Sequence, residues 1–416
     1  MKSVNLKPNQ YFYKMSNVRF LFNRNGIKIT LSFLLILLMA CSSPEPPVKA
    51  CVVGAARTEV YLPLLKDKRV GVVVNQTSMV DTLHLVDLLL ANGVDIRAIY
   101  APEHGYKGNV ERGQDIAHST DPVTGIPVYS IYGATRKPTP EFLKDVDVVV
   151  FDIQDVGCRF YTVFGTMHYV MEACAENGKK VIIMDRPNPL GYYVDGPVLQ
   201  PGFNSFIGMH EVPVVHGMTA GEYARMINGE KWLQDSVQCE MEIIPLENYT
   251  HATKYQLPVV PSPNLPDMKS VYLYPIVCFF EGAQVNEGRG TYKPFQQFGA
   301  PYYTPKDFSY VPVSIPVLSL RPRFENDTCY GYDLSGMELA GLQEIKQVRL
   351  NYLIEFYQKS GMGDSFFTDF FENLAGSDTL RKQIIAGQTE EQIRESWTEG
   401  LSKFNETRKK YLIYEE

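Results

Sequence analysis

The sequence has no surplus of positive charge and few cysteines. Its 416 residues carry a formal net charge of −7, which offers no basic surface to the phosphates of nucleic acid. The seven cysteines include no Cys-x-x-Cys pair, so neither a zinc site nor a dense disulfide framework is indicated, although one or two disulfides are compatible with the sequence. We therefore expect no nucleic-acid partner and no metal.

Two further features are missing. An apolar run from Ile29 to Ala40 has about twelve residues, which is too short to span a bilayer. No Gly-x-Gly-x-x-Gly follows the first predicted strand, so a dinucleotide is not inferred and no cofactor is expected. With 45% hydrophobic and 21% charged residues, the composition is that of an ordinary globular protein.

The short apolar run near the N-terminus is typical of a secretory signal. It follows basic residues and ends in Leu38 to Cys41, a sequence that resembles the lipobox of bacterial lipoproteins, in which the cysteine is lipidated. A plain secretory signal is the alternative, and Met15 is a possible start. We predict a lipoprotein signal peptide over residues 1–41 and a Pro-rich linker over 42–55, which together hold the protein on a membrane in the cell envelope, facing the periplasm.

Four segments of the first half have the β-branched, apolar composition of buried strands, and each is followed by polar residues and then by helical periodicity. This alternation predicts a parallel sheet with helices on both faces, which is a Rossmann-like α/β fold. Helices are expected from Asp81 to Asn92 and from Phe164 to Asn177, ended by Gly93 and Gly178. The strands are predicted at Arg69 to Val74, Ile96 to Ala101, Val146 to Phe151 and Val181 to Met184.

The composition of the sequence changes at about Gln256, where Pro- and Tyr-rich loops with short strands are predicted. From Gly341 onward two helices are predicted. The last of these opens with a capping box at Thr389 to Gln392. We predict a Rossmann-like domain over 56–255 and a smaller α+β domain over 256–416. The first C-terminal helix is predicted to carry one apolar face, formed by Ile345, Val348, Tyr352, Leu353 and Phe356.

Polar residues follow all four predicted strands, where ligands bind in an open parallel sheet. Glu103 lies between Pro102 and His104, and partial burial on a tight loop would suit its carboxyl to act as a general acid. The alternative is a capping or salt-bridge role. His104 can be a base, a metal ligand or a structural donor.

Asp152 and Asp155 are three residues apart after the third strand and can face the same cleft. They would orient hydroxyl groups of a ligand or stabilise positive charge on it, although a loop-capping role for one of them fits equally. Together with His104 and Asp185 they could instead hold magnesium or calcium, but their spacing has no defined metal signature.

The stretch from Glu281 to Thr291 is the conspicuous polar segment of the second half. Its three glycines around Arg289 would allow close approach of a ligand to the backbone, and a guanidinium is suited to a carboxylate. A Gly-rich hairpin with a surface arginine is the alternative.

At these motifs the sequence resembles the NamZ-type exo-β-N-acetylmuramidases of bacterial envelopes. The resemblance runs from about Arg69 to the C-terminus, and several motifs match in order. They are Ala101 to Gly105, Phe151 to Gly157 with Arg159 to Thr162, Asp185 to Leu190, His216 to Thr219, Pro261 to Asn264, and Glu287 to Thr291 with Pro294 and Phe295.

The resemblance implies a Rossmann-like domain and a smaller C-terminal domain with the active cleft between them. It implies release of terminal N-acetylmuramic acid from β-1,4-linked peptidoglycan fragments in cell-wall turnover and recycling. Glu103 matches the glutamate taken as catalytic in the family, whereas Gln296 stands where the resemblance leads us to expect a glutamate. Arg289 or Arg159 would bind the lactyl carboxylate of the sugar.

The sequence thus predicts a set of site residues for a glycosidase whose partners are peptidoglycan fragments and, through Cys41, a membrane. Two alternatives stay open, a non-catalytic lipoprotein that binds muropeptides and a metal-dependent envelope hydrolase. The predicted catalytic residues are Glu103, Asp152 and His104. The predicted substrate-binding residues are Asn75, Asp155, Arg159, Tyr161, Asp185, Arg186, Asn188, Glu287 and Arg289.

Overall fold

The structure is a computed structural model that describes residues 49–108 and 118–416. The predicted signal peptide, the lipidation site Cys41 and most of the linker lie outside these residues. Cys51 to Glu416 form one compact unit. None of the helices in the described part of the chain has the length and hydropathy needed to cross a bilayer.

A seven-stranded sheet forms the centre of the first half of the described chain. Its order is β5-β6-β4-β1-β7-β8-β9, and neighbouring strands are parallel except for β5 and β6. The predicted Rossmann-like sheet is therefore confirmed. The strands of the described chain are β1 (Arg69–Val74), β2 (Met79–Val80), β3 (Leu83–His84), β4 (Asp95–Ala101), β5 (Ser119–Thr120), β6 (Pro127–Ser130), β7 (Val148–Asp152), β8 (Lys180–Met184), β9 (Met241–Ile244), β10 (Gln297–Ala300), β11 (Ser309–Tyr310) and β12 (Cys329–Asp333).

Local composition explains why the central strands form where they were predicted. β1 has the predicted bounds, and β4, β7 and β8 begin or end within two residues of theirs. β1, β7 and β8 are runs of mainly β-branched and apolar residues that are buried on both faces, as a parallel strand under two helical layers must be, whereas β4 begins with the exposed Asp95 and Arg97. A β-carbon at Gly71 would lie 2.7 Å from the ring of Tyr100, so the glycine lets β4 pack closely on β1.

The helices of the described chain cover both faces of this sheet and build most of the second half. The helix predicted from Phe164 is confirmed as α4, but the helix predicted from Asp81 starts later, because β2 and β3 form a hairpin there. The helices are α1 (Thr58–Leu65), α2 (Leu85–Ala91), α3 (Pro140–Leu143), α4 (Val163–Glu176), α5 (Ala220–Gly229), α6 (Met268–Val277), α7 (Leu339–Gln343), α8 (Asn351–Ser360), α9 (Phe370–Ala375), α10 (Thr379–Ile385), α11 (Glu390–Glu395) and α12 (Thr398–Lys409).

The prediction of two C-terminal helices is wrong, because the segment is divided into the short helices α7 to α12. Between α7 and α8 the backbone N–H groups of Val348 and Leu350 donate to the carboxylates of Asp195 and Glu390, at 2.6 and 2.8 Å. Side chains thus accept the hydrogen bonds that a continuous helix would have made. The predicted capping box at Thr389 is confirmed at the start of α11.

The second half packs into the first through a shared core. Phe160, from the loop after β7, has edge contacts with Tyr274 of α6 and with Phe279, at ring centroid distances of 6.0 and 5.3 Å. Around them the three-stranded sheet β10-β12-β11 packs with the C-terminal helices. The six described cysteines are all free thiols.

Candidate active site

The point at which the strand order reverses, beside β1, is closed by the protein's own polar groups. Ser78 donates from its Oγ to the carbonyl of Asp152, and Thr77 Oγ1 accepts from the backbone N–H of Gln154 at 3.0 Å. Asn75 Oδ1 accepts from the N–H and the hydroxyl of Thr77 at 2.9 and 2.6 Å. All five residues are buried, so the position where a ligand is expected in such a sheet holds a hydrogen-bond network.

Asp152 and Arg186 form an ion pair inside the protein. Arg186 donates from Nε and Nη2 to the two carboxylate oxygens at 2.5 and 2.8 Å, and both side chains are buried. A carboxylate engaged in this way balances an otherwise isolated buried cation. Neither residue lines the cleft described below.

Asp185 and Asn188, after β8, also face the interior. Asp185 accepts from the hydroxyls of Tyr414 and Thr219 at 2.6 and 2.7 Å, and burial raises its pKa to about 6. Asn188 accepts from the N–H of Leu190 and donates to the carbonyl of Met218. These contacts organise the loop after β8 and leave both side chains away from the cleft.

Asp155 lies beside His216 in the interior. Its Oδ2 accepts from the N–H of Gly157 at 2.6 Å and is 3.7 Å from His216 Nε2, whereas Oδ1 has no hydrogen-bond partner among the described residues. Burial raises the pKa of Asp155 to about 7 and lowers that of His216 to about 3. The surroundings therefore favour the uncharged form of each group.

Arg159 is buried and supports the backbone. Its guanidinium donates to the carbonyls of Pro197, Val212 and Leu374 at 2.7 to 2.8 Å. Burial lowers its pKa to about 10. The arginine joins the loop that precedes α5 to the end of α9 and does not line the cleft.

A cleft of about 330 Å³ opens beside these interior networks, and the loop after β4 forms part of its wall. Of the predicted site residues, Glu103, His104, Tyr161 and Arg289 line it. Residues from both halves of the chain contribute to its walls. The other lining residues are Tyr132, Arg136, Phe160, Thr162, Ser205, Phe206, Ile207, Ser262, Asn264, Leu265, Tyr274, Cys278, Glu281, Phe295, Phe370, Asn373 and Leu374.

Glu103 is held at the cleft by two hydroxyl groups. Tyr132 donates to Oε1 and Thr162 to Oε2, each at 2.9 Å. The next residue, His104, has a left-handed φ of 68°, and the N–H of Gly105 closes the turn on the carbonyl of Pro102 at 2.9 Å. The turn and the hydroxyls together fix the position and the rotation of the carboxyl group.

Arg289, which lines the cleft from the second half of the chain, is held by two carboxylates. Its Nη2 donates to Glu281 Oε1 at 2.9 Å, and its Nε is 2.9 Å from Glu287 Oε1. Burial raises the pKa of Glu287. The preceding Gly288 has a φ of 82°, and a β-carbon there would lie 2.6 Å from the carbonyl oxygen of Lys293, so this loop requires glycine.

Phe295 and Gln296 follow this loop and face different ways. Phe295 lines the cleft, and the guanidinium of Arg289 lies 5.1 Å from the centroid of its ring. Gln296 is buried and does not line the cleft. The replacement of an expected glutamate at this position therefore removes no carboxylate from the cleft.

Three buried polar atoms of the cleft walls lack a hydrogen-bond partner among the described residues, namely Asn264 Oδ1, Ser205 Oγ and Arg289 Nε, and the last of these is ion-paired with Glu287. Asn264 donates from Nδ2 to the carbonyl of Leu318 at 2.9 Å, which leaves Oδ1 free to accept. A buried polar atom without a partner is unfavourable, and a ligand that supplies one would be bound selectively.

Several cleft residues escaped the sequence analysis. Thr162 and Asn264 lie within motifs that carry the family resemblance, and Glu281 opens the polar stretch before Arg289, so their segments were visible in the sequence. Tyr132 and Arg136 follow β6, a strand that was not predicted, and no local signal marks them.

The described part of the chain holds no group of three or more His, Cys, Asp or Glu side chains arranged to bind a metal ion. Of the four side chains considered for such a site, Asp152 is paired with Arg186, Asp155 lies beside His216, Asp185 is covered by hydroxyl donors, and His104 lines the cleft.

Sequence and structure comparisons agree on the relatives of this chain. The N-terminal and C-terminal profiles of the family described as exo-beta-N-acetylmuramidase NamZ match residues 70–269 and 272–414. The chain is 37% identical over 378 residues to the peptidoglycan beta-N-acetylmuramidase NamZ of Bacillus subtilis, an alignment that covers 85% of this chain and 89% of that protein.

Two crystal structures of DUF1343 family proteins from Bacteroides fragilis resemble the fold. One has a TM-score of 0.82 and 43% sequence identity, and covers 88% of this chain and 100% of its own. The other has a TM-score of 0.76 and 29% identity, and covers 89% and 100%. The two matched profiles span all the residues that line the cleft.

Proposed function

The chain belongs to the NamZ family of exo-β-N-acetylmuramidases, and from this premise we propose that the cleft around Glu103 is its active site. The protein is an exo-acting glycoside hydrolase that releases terminal N-acetylmuramic acid from β-1,4-linked peptidoglycan fragments. The observation that carries the site is the carboxyl group of Glu103, held at the cleft by Tyr132 and Thr162.

Glycoside hydrolysis needs an acid that protonates the leaving oxygen and a group that stabilises the oxocarbenium-like centre. In this proposal Glu103 protonates the leaving oxygen, and the hydroxyls of Tyr132 and Thr162 keep its carboxyl group in one rotation. Among the described residues, the second carboxylate that lines the cleft is Glu281, which would stabilise positive charge on the sugar ring. Asp152 was predicted for that role, but it is buried and does not line the cleft.

The 2-acetamido group of the sugar gives the cleft a second feature to recognise. Its N–H is a donor, and Asn264 Oδ1 is a buried acceptor without a partner among the described residues. Because Nδ2 of Asn264 already donates to Leu318, Oδ1 is the amide atom that can still take a partner. We therefore assign Asn264 to binding of the acetamido group.

The test is turnover of a chromogenic β-N-acetylmuramide by the soluble chain that begins after Cys41, with Glu103→Gln beside it. Glutamine keeps the shape, can accept from one hydroxyl and donate to the other, but cannot protonate the leaving oxygen, so kcat should fall about 10²- to 10⁴-fold. Glu141→Gln, on the exposed start of α3, is the matched control and should retain parent activity.

A folded Glu103→Gln with undiminished turnover would remove Glu103 from the chemistry. If neither the parent nor the variant releases the sugar, but both bind muropeptides, the alternative of a non-catalytic binding lipoprotein would take its place.

We further propose that the enzyme acts in cell-wall turnover from a lipid anchor on Cys41, facing the periplasm. The supporting feature is the lipobox-like sequence that ends at Cys41. Membrane fractionation of the full chain and of Cys41→Ser tests it, since only the parent should stay with the membranes.

A further inference from the structure

We propose that Arg136, and not Arg289 or Arg159, binds the 3-O-lactyl carboxylate that distinguishes N-acetylmuramic acid from N-acetylglucosamine. This inference rests on the proposed function, because it assigns a specificity determinant to the same cleft. It begins from the charges of the described residues that line the cleft, among which the arginines are Arg136 and Arg289.

The other two arginines are already engaged. Arg289 lies between Glu281 and Glu287, with a nitrogen 2.9 Å from an oxygen of each, so that a third carboxylate would meet a site that already contains two. Arg159 does not line the cleft, and both terminal nitrogens of its guanidinium donate to backbone carbonyls, three in all. Recruiting either arginine would break contacts that support the surrounding loops.

Arg136 differs from both in its contacts. Its side chain is exposed, and within residues 49–108 and 118–416 it makes no ion pair and no hydrogen bond; its contact is with the ring of Phe206, 4.5 Å from the guanidinium carbon to the centroid. The neighbouring Lys137, in contrast, is paired with Glu172 and Glu176. Arg136 is thus a cation of the cleft wall with no carboxylate partner in the described structure.

Stacking on Phe206 prepares the guanidinium for a carboxylate. An arginine that lies over an aromatic ring uses its face for the contact and keeps the N–H groups at its edge available for a bidentate hydrogen bond. The ring itself is well positioned, because it stacks on Tyr169 of α4 at a centroid distance of 6.2 Å. A β-carbon at Gly165 would lie 2.7 Å from the carbonyl oxygen of Phe206, so this loop rests directly on α4.

The ring of Phe206 also lies near Tyr132, which contacts the carboxyl group of Glu103. The centroids of Phe206 and Tyr132 are 6.0 Å apart, and the hydroxyl of Tyr132 donates to Glu103 at 2.9 Å. In the sugar, C3, which bears the lactyl group, is separated from the reacting C1 by one ring carbon. A ring placed with C1 at Glu103 can therefore direct its lactyl carboxylate along this wall toward Arg136.

The experiment compares two aryl β-glycosides, N-acetylmuramide and its analogue in which the lactyl carboxylate is a neutral carboxamide. Arg136→Gln should lower kcat/KM on the carboxylate substrate by about 30-fold, mainly through KM, and change that on the carboxamide less than about 3-fold. Arg136→Lys should recover part of the loss, since it restores the charge but not the bidentate geometry. Arg97→Gln, on the exposed side of β4, removes an equal charge away from the cleft and should match the parent.

Equal losses on both substrates, or no loss on either, would overturn the assignment. So would a charge-selective loss in Arg289→Gln with none in Arg136→Gln, which would return the carboxylate to Arg289. If the parent turns over neither glycoside, the proposed function fails on its own. Calorimetric binding of N-acetylmuramic acid and of its carboxamide would then decide the role of Arg136, by whether Arg136→Gln abolishes the preference for the acid.

Discussion

At the scale of single residues, the carboxyl groups that follow the central strands differ in what their oxygens contact. Asp152 is neutralised by Arg186, and Asp155 faces His216 in the interior. Glu103 alone of these three lines the cleft, where both of its oxygens accept from hydroxyls. Hydroxyl donors orient a carboxyl group without placing a competing charge beside it, which suits a group that must exchange a proton with a substrate.

Burial of Asp155 makes stability depend on pH. Its pKa is raised to about 7, so the stability linked to its protonated form is fully present below the ordinary pKa of 3.8 and is lost as the pH rises to about 7. Asp155→Asn cannot ionise. Relative to the parent, its free energy of unfolding should therefore increase between pH 4.5 and pH 8, by about 4 kcal/mol at most.

Urea unfolding across that pH range measures this difference. Asp67→Asn is the control, because Asp67 is exposed and its left-handed backbone suits asparagine as well as aspartate. A difference between Asp155→Asn and the parent that is constant with pH would show that Asp155 does not ionise in this range.

At the scale of secondary-structure elements, α9 depends on a side chain from the first half of the chain. This six-residue helix supplies Phe370, Asn373 and Leu374 to the cleft wall. Its carbonyl at Leu374 accepts from Arg159, which also holds the carbonyls of Pro197 and Val212. A cation near a helix C-terminus is favourable, and here it also anchors a helix too short to be stable alone.

Replacement of Arg159 should therefore lower the free energy of unfolding and should not change the preference between the two glycosides. Arg159→Met leaves three carbonyls without their donor and should lower the free energy of unfolding by about 3 kcal/mol. Arg159→Lys should recover part of it, because an ammonium cannot reach three fixed carbonyls with the same geometry. Denaturant unfolding beside KM measurements on both glycosides tests this.

A normal stability for Arg159→Met, together with a loss confined to the substrate that carries the lactyl carboxylate, would instead support the substrate-binding role that the sequence predicted.

At the scale of the whole molecule, the last residues of the chain complete the core of its first half. The backbone N–H groups of Ile413 and Tyr414 donate to the buried Glu222 at 2.9 and 3.3 Å, and the hydroxyl of Tyr414 donates to Asp185 at 2.6 Å. Both acceptors belong to the segment around β8 and α5. The segment of the N-terminal profile is therefore not complete in itself, because its buried carboxylates find donors at the C-terminus.

Removal of residues 413–416 should destabilise the protein by about 3 to 5 kcal/mol, since the buried carboxylates of Glu222 and Asp185 lose three donors together. Tyr414→Phe removes one of these hydrogen bonds and should cost about 1 to 3 kcal/mol. Thermal unfolding, measured by circular dichroism, should give the highest Tm for the parent, a lower one for Tyr414→Phe and the lowest for the truncated chain. A truncated chain that unfolds with the parent would mean that water or other groups replace these contacts without loss.

The sequence by itself determined the central strands, because a parallel strand buried on both faces has a local signature that needs no knowledge of its neighbours. β1 and α4 follow directly from such patterns, and the capping box at Thr389 is equally local. The motif around Glu103 also singled out a residue that lines the cleft in the folded protein.

Only the tertiary structure decided which polar residues face the cleft. The partners of Asp152 and Asp185 are 34 and 229 positions away in the sequence, and nothing local indicates that these carboxylates turn inward. Tyr132 and Arg136 reach the cleft from a segment with no recognisable pattern of its own. The direction of a side chain and the charges around it depend on contacts between distant segments, and these exist only once the chain has folded.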